Sequence, residues 1–193
     1  MSDFSLFLKL GFEHISDLQG YDHILFIVAL CAIYTLKDWR GILWMVTAFT
    51  IGHSITLVLA TFEVIMVSQT LVEKAIPLTI LLTCLFNIFL TKGEKNVKQS
   101  ATIKYLIACG FGLIHGLGFS GYLRSLLAMQ DSIVLELLAF NIGLELGQIL
   151  IVMITLVLAF IFVDKLKAPK REWNLVLSGA AGGVSLLMVL GLI

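Results

Sequence analysis

The sequence predicts an all-α fold, a polytopic bundle of about six transmembrane helices, and three observations carry that prediction. Of 193 residues, 59% are hydrophobic and only 13% are charged, whereas a soluble domain is about half apolar and about a quarter charged. The apolar residues gather into runs close to 20 residues, the length a helix needs to cross a hydrocarbon core of about 30 Å. The positive charge is confined to short segments between those runs. Residues 1–193 read as one integral membrane domain, with a seventh helix if the N-terminal segment enters the bilayer. Net charge is +0, so nothing argues for a nucleic-acid partner; the partner that composition demands is the lipid bilayer. Cys31, Cys84 and Cys109 are scattered singly, as small buried hydrophobes rather than a disulfide framework. The N-terminus lacks a basic leader, so no signal peptide is expected.

Taken in order, Phe4–Phe12 is apolar but too short to span, and reads as an interfacial helix or the start of the first span. The run Ile24–Leu36 is also too short alone, so the first span is expected to begin near Asp17 or Leu18, which buries Asp22 and His23. Span two runs from Gly41 to about Thr61 and contains His53. Span three covers about Val67 to Leu90, with Glu73 paired to Lys74 near its start and Pro77 expected to kink it. Span four, about Ile103 to Leu127, carries His115. Span five runs from Ile133 to about Val163, long enough to be tilted or broken, and span six from Trp173 onward. No internal repeat is legible.

The loops Lys37–Arg40, Lys92–Lys98 and Asp164–Glu172 hold most of the lysine and arginine. The positive-inside rule places them in the cytoplasm and both termini outside. The tryptophans Trp39, Trp44 and Trp173 flank the same ends, as an interfacial aromatic belt requires.

The chemistry-bearing residues converge in depth. His53 and His115 each stand 12 residues into their spans, roughly 18 Å from the cytoplasmic side at 1.5 Å per residue. Asn141 descends to about that depth on span five, with Glu145 one turn deeper, and His23 stands about 8 Å below the outer surface. Intramembrane ionisable residues mark functional sites. His23, His53, His115 and Glu145 are therefore the candidate metal ligands, suited to a divalent transition metal such as nickel, zinc or cobalt. Asn141, Glu145 and Gln148 share one helix face. Asn141, Gln148 and His14 are supporting candidates, although for His14 and Asp17 a solvated surface is slightly favoured over ligation. Asp22 is expected to orient a ligand other than His23, because neighbouring side chains on a helix diverge by about 100°. Gly112, Gly116, Gly118, Gly143 and Gly147 are expected at close helix contacts.

Four motifs carry a resemblance: Gly20-Tyr-Asp22-His23-Ile-Leu-Phe26, Thr47-Ala-Phe-Thr-Ile-Gly-His53-Ser-Ile-Thr-Leu57, Phe111-Gly-Leu-Ile-His115-Gly-Leu-Gly-Phe119 and Phe140-Asn-Ile-Gly-Leu-Glu145-Leu-Gly-Gln148. The sequence resembles a divergent branch of the HupE/UreJ family of hydrogenase and urease accessory membrane proteins. Phe119 and Tyr122 stand where the family's nickel-permease members carry a second histidine and a glutamate. The resemblance implies a six- or seven-helix protein of the bacterial inner membrane, involved in nickel or cobalt uptake. It implies the metal ion, metalloenzyme-maturation proteins or a homo-oligomeric copy as partners. Two functions follow from the residues. One is a metal permease or accessory protein; the other is an intramembrane zinc hydrolase acting on a lipid or membrane peptide, with Glu145 or Asp22 as general base.

Overall fold

A computed structural model describes residues 3–90, 101–127 and 133–193. Seven α-helices account for most of them: α1 (Asp3–Ser16), α2 (Asp22–Cys31), α3 (Trp39–Thr61), α4 (Gln69–Leu90), α5 (Ala101–Leu127), α6 (Ile133–Ala159) and α7 (Lys170–Val189). No strand occurs among the described residues. Five of the helices, α3 to α7, are long and apolar enough to cross a membrane. The molecule is a helical membrane bundle.

The first crossing departs from expectation. One helix beginning near Asp17 was expected; instead the chain forms two short helices with a break between Ser16 and Asp22. Local chemistry explains the break. The Asp17 carboxylate accepts the backbone N–H of Gln19 at 2.8 Å, an Asx-type turn that competes with the helix ladder, and Gly20 follows at once. At ten residues α2 is too short to span alone, and His23, Phe26, Ile27, Ala29 and Cys31 are buried by its neighbours. The expected kink at Pro77 falls within α4, which remains one helix through the proline. The long fifth span is helical throughout, with the six residues Phe160–Lys165 wound as a π-helix. The loop Lys92–Lys98 lies outside the described residues.

Backbone contact between glycine-bearing helices sets the architecture. A Cβ on Gly112 would collide with the carbonyl oxygen of Phe49 and stand 3.0 Å from the His53 backbone nitrogen; one on Gly52 would meet the Cys109 carbonyl oxygen and stand 3.0 Å from the Leu113 nitrogen. Gly116 lies against the His53 carbonyl and the Thr56 hydroxyl. These contacts advance together along both chains, so α3 and α5 are parallel. A second pair, α1 and α6, is built the same way. Gly11 lies on the Phe140 carbonyl, Gly143 on Leu8, and Gly147 on Ile15 and Phe12. Gly118 instead meets side chains of α4, with Ile76 Cδ1 3.0 Å from its would-be Cβ.

Between these pairs, α3 and α6 run antiparallel and share a polar seam. Thr47 Oγ1 donates to Glu145 Oε1 (2.6 Å), Thr50 Oγ1 to Gln148 Oε1 (2.8 Å) and Ser54 Oγ to Asn141 Oδ1 (2.5 Å). The pair α4 and α7 closes the bundle through Asn174 Nδ2, which donates to the Asn87 carbonyl (3.0 Å), and Asn87 Nδ2, which donates to the Ala29 carbonyl (2.7 Å). The helix order leaves Trp39, Arg40, Lys104, Lys165 and Lys170 at one end, the basic end. α1 and α2 descend towards it in succession, as two halves of an interrupted crossing.

Because this contact is backbone on backbone, Gly112→Leu should lower the thermal midpoint in detergent by roughly 5–10 °C. Gly179→Leu, where nothing stands within 4 Å of a Cβ, should leave the midpoint within about 2 °C. Fluorescence-detected thermal unfolding checks both.

Candidate metal centre

The helix break delivers two histidines to one place. His14 lies in the last turn of α1 and His23 in the first turn of α2, with ring centroids 4.8 Å apart. His53 arrives from the middle of α3, held in position by the glycine contacts that bring α5 onto its backbone. One ligand nitrogen from each of His14, His23 and His53 lies within 4.8 Å of the others. An ion with nitrogen ligands at about 2.1 Å in tetrahedral geometry would hold them roughly 3.4 Å apart, so modest ring rotations close the set.

The nitrogens are accounted for atom by atom. His23 Nδ1 lies 2.9 Å from Asp22 Oδ1, and the backbone N–H of His23 donates to the same oxygen at 2.8 Å. A carboxylate only accepts, so the ring donates from Nδ1 and keeps a lone pair on Nε2. Asp22 therefore holds His23 itself, a correction to the expectation that it would orient another ligand. The 100° divergence applies to side chains projecting from a continuous helix; Asp22 is the first residue of α2, and its carboxylate folds back over the opening turn. His14 Nε2, His23 Nε2 and both ring nitrogens of His53 are buried without a hydrogen-bond partner. Buried polar atoms in such a state require an explanation, and a shared cation would account for one lone pair on each ring.

His115 stands beside this group, fully buried, with its ring centroid 5.1 Å from that of His23. Thr79 Oγ1 donates to the Ile76 carbonyl at 2.7 Å and lies 2.9 Å from His115 Nε2. A hydroxyl has one proton, so His115 donates from Nε2 and its lone pair resides on Nδ1, which is buried and unpartnered. Aromatic rings wall the group: Phe49 lies 5.1 Å from His115, and Phe119 lies 4.0 Å from His14 between centroids.

The structure thus brings together His14, His23, His53 and His115 and sends Glu145 elsewhere. Glu145 accepts from Thr47, and Asn141 and Gln148 bond Ser54 and Thr50. The face read from their spacing is real, but it is turned to the hydroxyls of α3. His14, expected only in support, is one of the three whose ligand nitrogens converge, and His23 is the ring that neighbours all the others. The signal for His14 was its distance from His23, which an interrupted helix shortens and a continuous one would not.

A cavity of about 500 Å³ leads from His14, His23 and His115 past Asp17, Asp22 and Glu73 to exposed Gln69 and Thr70 at the end away from the basic loops. Glu73 faces this cavity, and no Glu73–Lys74 ion pair occurs among the described residues. The break from Asp17 to Gly20 lines it too, which is where non-helical backbone at membrane depth is tolerated.

The profile of the family described as "HupE / UreJ protein" matches residues 1–191. The chain belongs to this family. No curated protein and no solved structure matches it. The HupE/UreJ family is associated with nickel or cobalt accessory or permease function.

If Asp22 orients His23 as the hydrogen bond indicates, Asp22→Asn should weaken nickel binding about 10- to 100-fold. Glu145→Gln should change it less than about 3-fold. Isothermal titration of the purified variants separates the two positions.

Proposed function

We propose that this HupE/UreJ protein is a permease for a divalent transition metal, nickel or cobalt, which it binds through His14, His23 and His53 with His115 alongside. The single observation that carries this reading is the convergence of unpartnered imidazole nitrogens on a broken helix at the foot of a cavity. An all-nitrogen donor set suits nickel, cobalt or zinc and serves magnesium or calcium poorly, since these require oxygen. Discontinuous helices with an ion site at the break are a recurrent construction of secondary transporters. The acidic lining, Asp17, Asp22 and Glu73 against Lys74, draws cations inward from the mouth.

The positive-inside rule makes the basic end cytoplasmic. The cavity then opens to the outside and both termini lie outside, in a bacterial inner membrane. The ion enters hydrated, exchanges water for imidazole nitrogens as it descends, and is held without a charged ligand other than the Asp22 carboxylate acting through His23. A few neutral ligands release an ion more readily than a closed thiolate cage.

The hydrolase reading draws less support. As read from the sequence, it needs Glu145 or Asp22 free to take a proton from a metal-bound water. Glu145 is engaged with Thr47, and Asp22 is engaged with His23.

Purified protein should bind about one equivalent of nickel or cobalt and show no saturable magnesium binding, measured by titration calorimetry. His53→Ala should abolish that binding and reduce nickel accumulation in cells at least about 10-fold. Unchanged accumulation with His53→Ala would overturn the reading.

A further inference from the structure

The two glycine-packed pairs are related residue by residue. The shift in numbering that carries Gly11 to Gly112 also carries Leu8 to Cys109, Phe12 to Leu113 and His14 to His115. The shift that carries Gly143 to Gly52 also carries Phe140 to Phe49 and Leu144 to His53. Under these two shifts the contacts of one pair become those of the other. A Cβ on Gly11 would collide with the Phe140 carbonyl and stand 3.1 Å from the Leu144 nitrogen; one on Gly112 would collide with the Phe49 carbonyl and stand 3.0 Å from the His53 nitrogen. A Cβ on Gly143 would collide with the Leu8 carbonyl and stand 2.8 Å from the Phe12 nitrogen; one on Gly52 would collide with the Cys109 carbonyl and stand 3.0 Å from the Leu113 nitrogen. Each pair is internally parallel. The seam between α3 and α6 is antiparallel, because no parallel register lets Thr47 reach Glu145 while Ser54 reaches Asn141. The pairs α1–α6 and α3–α5 are thus two copies of one unit, inverted with respect to each other.

His14 and His115 occupy equivalent positions in those copies, each three residues after the packing glycine, yet their present surroundings differ. His14 joins His23 and His53, with a ligand nitrogen of each within 4.8 Å of the others. His115 is tethered through Nε2 to Thr79, while Nδ1 stays buried and unpartnered, with the ring 5.1 Å from that of His23. Inverted repeats around a central site are the construction by which transporters expose one site alternately to either side, by rocking one copy against the other.

We propose that His115 is the ligand of a second ion position, formed with His23 and His53, and that the ion passes from His14 to His115 when the two inverted pairs exchange conformations. His23 and His53 are common to both sets, so the transfer breaks one metal–nitrogen bond, to His14, and makes one, to His115 Nδ1. Nothing is oxidised or reduced. The Thr79 hydroxyl fixes the tautomer of His115, which can coordinate through Nδ1 while still donating from Nε2. His14, His23 and His115 all border the cavity that runs past Glu73 and Asp17; in this scheme the ion enters at His14 and leaves from His115 towards the basic end.

This inference rests on the proposed metal permease, and the experiment keeps the two separable. Nickel titration of wild type, His14→Gln and His115→Gln in detergent is compared with nickel uptake by proteoliposomes holding the same proteins, with the thermal midpoint confirming folded protein. Wild type that binds no nickel overturns the permease reading and this one with it. The expected result is that His14→Gln weakens equilibrium binding at least about 10-fold, whereas His115→Gln binds within about 3-fold of wild type but loses at least about 10-fold in uptake. His115→Gln that binds as poorly as His14→Gln overturns the second position in favour of one four-histidine site. His115→Gln that transports normally overturns it as well, and both outcomes leave the permease standing. Should His115→Gln fold poorly, Thr79→Val supplies the same test. It removes the acceptor that fixes the Nε2–H tautomer, and should lower uptake at least about 3-fold with binding unchanged; unaltered uptake counts against the proposal.

Discussion

The close approach of backbones at Gly52, Gly112 and Gly116, matched by Gly11 and Gly143, is the constraint on which everything else depends. In lipid there is little hydrophobic force between helices, and small residues that permit intimate packing take over. Here that packing does more than stabilise. It places the backbone of His53 against α5, sets His115 one turn from the same contact, and aligns α1 along α6 so that His14 ends where α2 must begin. A side chain at any of these glycines would separate the helices and scatter the imidazoles.

The helix break is the second determinant. An uninterrupted first crossing would spread His14 and His23 along its axis by about 1.5 Å per residue; the turn at Asp17 and Gly20 folds that distance away. The broken backbone opens onto the cavity, where its polar groups meet water rather than lipid. The same break starts α2 at Asp22, so its carboxylate can curl onto His23 and fix the ring. One local irregularity thus creates the histidine pair, its orientation and its route of access.

The polar residues divide between two tasks that a single chain would find hard to tell apart. Histidines gather around the break with unpartnered nitrogens, whereas Glu145, Gln148 and Asn141 satisfy hydroxyls of Thr47, Thr50 and Ser54. The second set joins the two inverted pairs across α3 and α6. A carboxylate at that seam is bonded to a hydroxyl, and the group at the break is correspondingly made of imidazoles.

Helix count, membrane character and family could be read from the chain because hydrophobic runs and their basic flanks are properties of local sequence. Three of the four clustered histidines were legible for the same reason, since counting residues along a helix gives depth. What counting cannot give is rotation about the helix axis and breaks in it. Glu145 has the right depth but faces α3, and Asp22 was assigned to another ligand because a continuous helix was assumed. His14 was left near the interface because the first span was begun at Asp17, beyond it. The inverted pairing was hidden more deeply. Its copies share little beyond Gly-x-x-His in α1 and α5, and α1 precedes its partner helix whereas α5 follows its own. Only tertiary packing, which compares backbone contacts irrespective of chain order, brings the two copies into register.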